Sequence, residues 1–161
     1  MIGQVMQFAP TVGEPVFGSA GPLLQSITYG VALVVTALLG CVLRNEWRFV
    51  IVLIGSLCMF ASCLTLFSLN KGLLIVGMVL MGLAFACTSA ALWGTINVYR
   101  TPTNLGVLYA IPYAGYNFWN FSVSILSGWL LDHFAVWVAV MFWSVCTALA
   151  VLLCVVWMRV K

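Results

Sequence analysis

Two long stretches without a single charged residue, 49–70 and 72–99, constrain this chain more than any other feature. A helix rising about 1.5 Å per residue needs roughly 20 residues to cross a hydrocarbon layer about 30 Å thick, and both stretches exceed that length. Open sheet edges cannot be satisfied in lipid, so such stretches predict helices. Cutting the whole chain at its charges, prolines and turn clusters leaves five apolar spans, about 23–43, 49–69, 72–96, 105–131 and 136–158. Composition agrees: 65% of residues are apolar and 6% charged, against roughly 45–50% and 25% in a soluble domain. The expected fold class is all-α, a polytopic transmembrane helix bundle with the lipid bilayer as its solvent. A soluble enzyme, a nucleic-acid binder and a disordered tail are all excluded by the same balance.

The segment 1–22 differs from the rest. Pro10, Pro15 and Pro22 with several glycines surround Glu14, and it reads as a lumenal or extracellular loop or a helix remnant. Its first residues lack the basic and apolar blocks of a cleavable signal. Orientation follows the distribution of Lys and Arg. Arg44, Arg48, Arg100, Arg159 and Lys161 fall on one side of five threaded spans, and only Lys71 on the other. That predicts a multi-pass protein with a cytoplasmic C-terminus. Trp47, Tyr99, Trp129, Trp137 and Trp157 lie near span ends, as interfacial anchors do.

No reaction centre is visible. The chain holds one histidine and three carboxylates far apart, and no phosphate-binding or nucleophile motif. The six cysteines at 41, 58, 63, 87, 146 and 154 form no C-x-x-C pair and read as small apolar packing residues rather than metal ligands or disulfides. We expect no catalytic residues, no metal and no cofactor. With no Asp, Glu, Lys, Arg or His inside the spans apart from boundary positions, these helices carry no proton relay of their own.

Three spans carry patterns. In the first, Gln25, Tyr29, Ala32, Thr36 and Gly40 share one helical stripe, either a packing seam or the wall of an aqueous path. In the third, Gly82, Ala86, Ala90 and Gly94 recur every four residues, a small-residue ladder that predicts close helix packing. In the fourth, Tyr109, Tyr113, Tyr116, Asn117, Asn120, Ser124 and Ser127 fall within an arc of about 100°. Ile111, Phe118, Phe121 and Leu126 lie opposite. Unpaired polar groups in hydrocarbon cost several kcal/mol, whereas interhelical hydrogen bonds average well under ~1 kcal/mol. The arc therefore reads as a wall exposed to water and solute rather than as helix glue. Pro112 predicts a bend nearby. The sequon Asn120-Phe121-Ser122 sits in mid-span, out of reach of glycosylation.

Span four opens with Leu105-Gly106-x-x-Tyr109 and closes with Ser124-Ile125-x-x-Gly128-x-x-Leu131-Asp132, and Ala91-Leu92-Trp93 ends the small-residue helix before it. This order resembles the C-terminal part of a major facilitator superfamily transporter, helices eight to twelve of about twelve. Within that family it looks closest to the lysosomal dipeptide uniporter branch. The resemblance implies a partial major facilitator fold and alternating access, with a small solute such as a dipeptide as substrate. By the same likeness Gln25, Tyr29, Trp93, Tyr113, Asn117 and Asn120 line the solute cavity. An N-terminal transporter half missing here would supply the charged groups for peptide termini, and an accessory membrane glycoprotein and a lysosomal address follow from the branch alone. The family's G-x-x-x-D-[RK]-x-G-[RK] gating motif should follow span one. Here Gly40 and Arg48 bracket it, but Arg44 stands at the Asp position and the second Gly is replaced. The family's charge relay does not carry over, leaving Arg44, Glu46 and Arg48 to pair locally. The alternative is a non-transporting membrane scaffold, or an inactive partial copy, packed through the ladder from Gly82 to Gly94.

Overall fold

The computed structural model of the chain describes residues 17–18, 21–42, 44–68, 70–99, 101 and 104–160. Segment 1–22 lies mostly outside them, as do Arg100, Lys161 and the side chains of Tyr99, Trp157 and Arg159. Five helices account for nearly everything described: α1 (Gly21–Val42), α2 (Arg48–Thr65), α3 (Lys71–Tyr99), α4 (Leu105–His133) and α5 (Val136–Val160). A single 3-10 turn, Asn45–Trp47, joins α1 to α2, and no strand occurs among the described residues. The protein is an all-α polytopic bundle. Four helices are long and apolar enough to cross a membrane, over Leu23–Cys41, Arg48–Thr65, Lys71–Ile96 and Val136–Val156. The exception is α4. Its 29 residues reach about 44 Å, but its tyrosines and carboxamides dilute its apolarity.

Helix limits fall close to the expected spans, with one instructive exception. The apolar run 49–69 suggests a helix to residue 69, yet α2 stops at Thr65. The backbone tightens into turns there, with the Leu66, Phe67 and Ser68 N–H groups donating three residues back at 3.0–3.3 Å, and Asn70 Oδ1 then accepts from the Gly72 N–H at 2.9 Å, the N-cap arrangement that starts α3. Hydropathy is blind to such a cap.

Packing centres on α3, which α1 and α2 both contact extensively; α5 packs on α2, and α4 touches α5 only lightly. Two hydroxyls tie the hub together. Thr28 of α1 donates to the Met78 carbonyl at 3.2 Å, and Ser62 of α2 donates to the adjacent Gly77 carbonyl at 2.7 Å. Backbones come close at the same places. A Cβ added to Gly82 would sit 2.6 Å from the Thr28 carbonyl oxygen, so only glycine lets α1 approach. The ladder is thus a packing face at Gly82 and Ala86, both buried, while Ala90 and Gly94 are half-buried.

Of the two readings open for the stripe on the first helix, the packing seam does not describe it. Leu24, Thr28 and Ala32 are the buried row of α1; Tyr29, Thr36 and Gly40 are exposed and Gln25 half-buried. Of that stripe only Ala32 is buried. Two rows of period four lie side by side on this helix, and the one carrying an apolar leucine and a hydroxyl able to cross to Met78 goes inward.

The core gathers at one end of the bundle. Leu24, Met59, Cys63, Leu66, Leu74, Met78, Met81, Val140 and Trp143 form one buried cluster. They come from the N-terminal ends of α1, α3 and α5 and the C-terminal half of α2. Toward the other end side chains such as Leu38, Val50 and Leu153 are exposed.

Candidate functional site

The site is built where α4 leans on the bundle at two points. At its C-terminal half, the buried Ser127 hydroxyl accepts a 2.9 Å hydrogen bond from the indole N–H of Trp143. At its N-terminal half, Tyr109 stacks on Trp93 of α3, centroids 5.8 Å apart at 16°. Between these contacts the helices stand apart and enclose a cavity of about 540 Å³. Its walls come from α2 (Ser56, Met59), α3 (Phe85, Ser89), α4 (Tyr116, Trp119) and α5 (Cys146, Ala150).

Most hydroxyls in this wall are turned back on their own helices. Ser56 donates to the Val52 carbonyl at 2.9 Å, Thr88 to Ala84 at 2.8 Å, and Thr147 to Ser144 at 2.8 Å. A hydroxyl satisfied in this way presents methylene or methyl to the cavity, so the lining is apolar. Ser89 and Tyr116 differ, making no hydrogen bond among the described residues.

The polar arc of α4 straddles the edge of its contact face. Tyr109 and Ser127 turn toward the bundle, Tyr116 lines the cavity while remaining exposed at its mouth, Asn120 and Ser124 are half-buried, and Tyr113 and Asn117 face outward. Tyr113 is 58% exposed, and neither it nor Asn117 has a hydrogen-bond partner among the described residues. The opposite face is uncovered as well, Phe118 and Phe121 being among the most exposed side chains. The helix runs unbroken through Pro112.

Of the residues expected along a solute path, the structure brings Tyr116 to the cavity wall and stacks Trp93 on Tyr109 outside its lining. Gln25 and Tyr29 lie elsewhere, paired with each other at 3.5 Å on the side of α1 away from the α3 seam. Around the α1–α2 connection the gating-motif positions are open: Gly40 in the last turn of α1, Arg44 and Glu46 are exposed, and Arg48 at the start of α2 is half-buried. The expected local pairing of Arg44, Glu46 and Arg48 does not form, for no ion pair joins them, and the Arg48 Nε is buried without a hydrogen bond. Helical geometry accounts for this, since Glu46 sits in the 3-10 turn and Arg48 opens α2. Gly128 has open space at its Cβ position, and Asp132 is exposed. Among the described residues no group of His, Cys, Asp or Glu could hold a metal ion.

Ser89, Cys146 and Ala150 were not legible as site residues. They are small side chains in apolar runs, and only the separation of α4 from α3 and α5 turns them into a wall. The chain matches no protein-family model, no curated protein and no solved structure.

Proposed function

We propose that this multi-pass membrane protein works as part of a facilitator-type solute carrier, with α4 crossing the bilayer as a fifth span and bounding the solute path. The observation behind this reading is the outward face of α4, where a phenol and a carboxamide stand unpaired on a helix surrounded by hydrocarbon-compatible neighbours. Leaving them against lipid costs several kcal/mol, so water, solute or a further transporter half covers them. Light attachment of α4 to α5 suits a helix that rocks against such a half during alternating access. The facilitator resemblance adds a cytoplasmic C-terminus, a dipeptide-like solute, an accessory glycoprotein and a lysosomal address to the proposal.

The test is cysteine scanning in a background freed of native cysteines. Tyr113→Cys and Asn117→Cys should react with a membrane-impermeant thiol reagent, and Phe118→Cys and Phe121→Cys should not, because thiolate forms only where water reaches. Complete protection at Tyr113 and Asn117 would sink the solute path and favour a scaffold packed through α3.

A further inference from the structure

We propose that the cavity between α2, α3, α4 and α5 is a binding site for an uncharged amphiphile drawn from the bilayer, an apolar body bearing one hydroxyl or carbonyl. This rests on the membrane placement of the apolar helices and is independent of the solute path on the far side of α4.

Size, lining and mouth all point the same way. A volume of about 540 Å³ falls in the range of roughly 300–1,000 Å³ typical of small-ligand cavities. Left empty, it forfeits the dispersion contacts of its whole lining. Water does not substitute, because a buried water needs about three hydrogen bonds and the wall offers only the hydroxyls of Ser89 and Tyr116 unpaired. No charged side chain lines the cavity, which excludes an ionic guest. The lining residues that remain exposed are Leu92, Tyr116, Trp119, Leu149 and Leu153, so the mouth opens onto hydrocarbon rather than onto water.

Depth narrows the class further. Ser89 lies seven residues from the Ile96 end of the apolar crossing segment of α3, and Tyr116 eleven from the Leu105 end of α4. Both are therefore about 10–17 Å from the nearer ends of their spans, within a ~30 Å hydrocarbon layer rather than at its edge. A phospholipid headgroup does not reach that depth. A neutral hydroxyl or carbonyl does, and in hydrocarbon it gains from the two waiting hydroxyls what it lacks in the surrounding lipid.

The experiment uses the protein in phosphatidylcholine nanodiscs with a sixteen-carbon alcohol carrying a chain diazirine. Irradiation followed by residue-level mapping should place adducts on 85–92, on Tyr116 and Trp119, and on 146–153. The alkane of the same length should label these residues about fivefold less, the worth of one hydrogen bond, and the trimethylammonium analogue should not label them above background. Ala150→Trp, which fills the cavity, should abolish the adducts, while Ile111→Trp on the outer face of α4 should leave them unchanged. Ser89→Ala and Tyr116→Phe barely alter volume and should bring the alcohol down toward the alkane level. Equal labelling of lipid-facing Leu33, Phe118 and Ile125, or adducts that persist in Ala150→Trp, would overturn the site. So would a wall that no probe reaches, which would mean that another helix or a second copy fills it.

Discussion

Helices α3 and α4 have the same length, 29 residues each, and opposite fates. The first is the hub of the bundle, gripped by α1 and α2 on two faces. The second has only Val123 and Ser127 buried. Their glycines show why. At Gly77 and Gly82 a neighbouring helix already occupies the place of a Cβ, whereas Gly106, Gly115 and Gly128 of α4 have nothing within 4 Å. In lipid no hydrophobic force draws helices together, so association depends on close backbone approach and on hydrogen bonds across the seam. Glycine confers affinity for a neighbour only where its position faces one.

The largest expected effect breaks the hub. Gly82→Ile places its Cβ 2.6 Å from the Thr28 carbonyl oxygen and 2.9 Å from the Val31 Cβ. It should cost about 3 kcal/mol, read as a lowered unfolding midpoint in detergent micelles. Gly115→Ile, the matching change on α4, should leave that midpoint near wild type; an equal loss at both positions would erase the distinction between the two helices.

Next comes the bolt that holds α4. Trp143→Phe removes the donor to the buried Ser127 oxygen and should destabilise by about 1–2 kcal/mol. Its signature is faster proteolysis within α4 with α1–α3 unaffected. A double-mutant cycle with Ser127→Ala should return a coupling of up to about 1.7 kcal/mol. Zero coupling would mean that α4 is held by shape alone.

Smaller losses should follow in the hub when a crossing hydroxyl goes. Thr28→Val and Ser62→Ala each remove one donor to α3 and should cost about 0.6–1.7 kcal/mol each, with a double mutant departing from the sum because the two bonds end on neighbouring carbonyls. The smallest effect belongs to α4. Ser122 is exposed and, among the described residues, bonds only back to Phe118 at 3.0 Å, so Ser122→Ala should stay within about 0.5 kcal/mol, measured by the same unfolding curve.

Much of the fold was legible residue by residue, the site far less. Long charge-free runs predict helices because lipid leaves the backbone no other way to satisfy its hydrogen bonds, and the ladder beginning at Gly82 predicts a seam. The turn of α1 that packs was not legible, because Gln25–Tyr29 and Leu24–Thr28 are adjacent rows with the same spacing. Nor was the division of α4's arc, in which Tyr116 reaches the cavity wall and Tyr113, one turn earlier, turns out. An arc on a helix fixes which residues travel together, but not where its neighbours stand.

By itself, then, the order of residues determined the solvent, the helical class and the approximate limits of the helices, since each is a property of the chain against its surroundings and depends on no other segment. Tertiary structure alone decided that α3 would be the hub, that the α1–α2 loop would carry its charges unpaired, and that Ser89, Tyr116 and Cys146 would share a cavity. Those outcomes depend on distances between helices, set by packing among segments far apart in the chain.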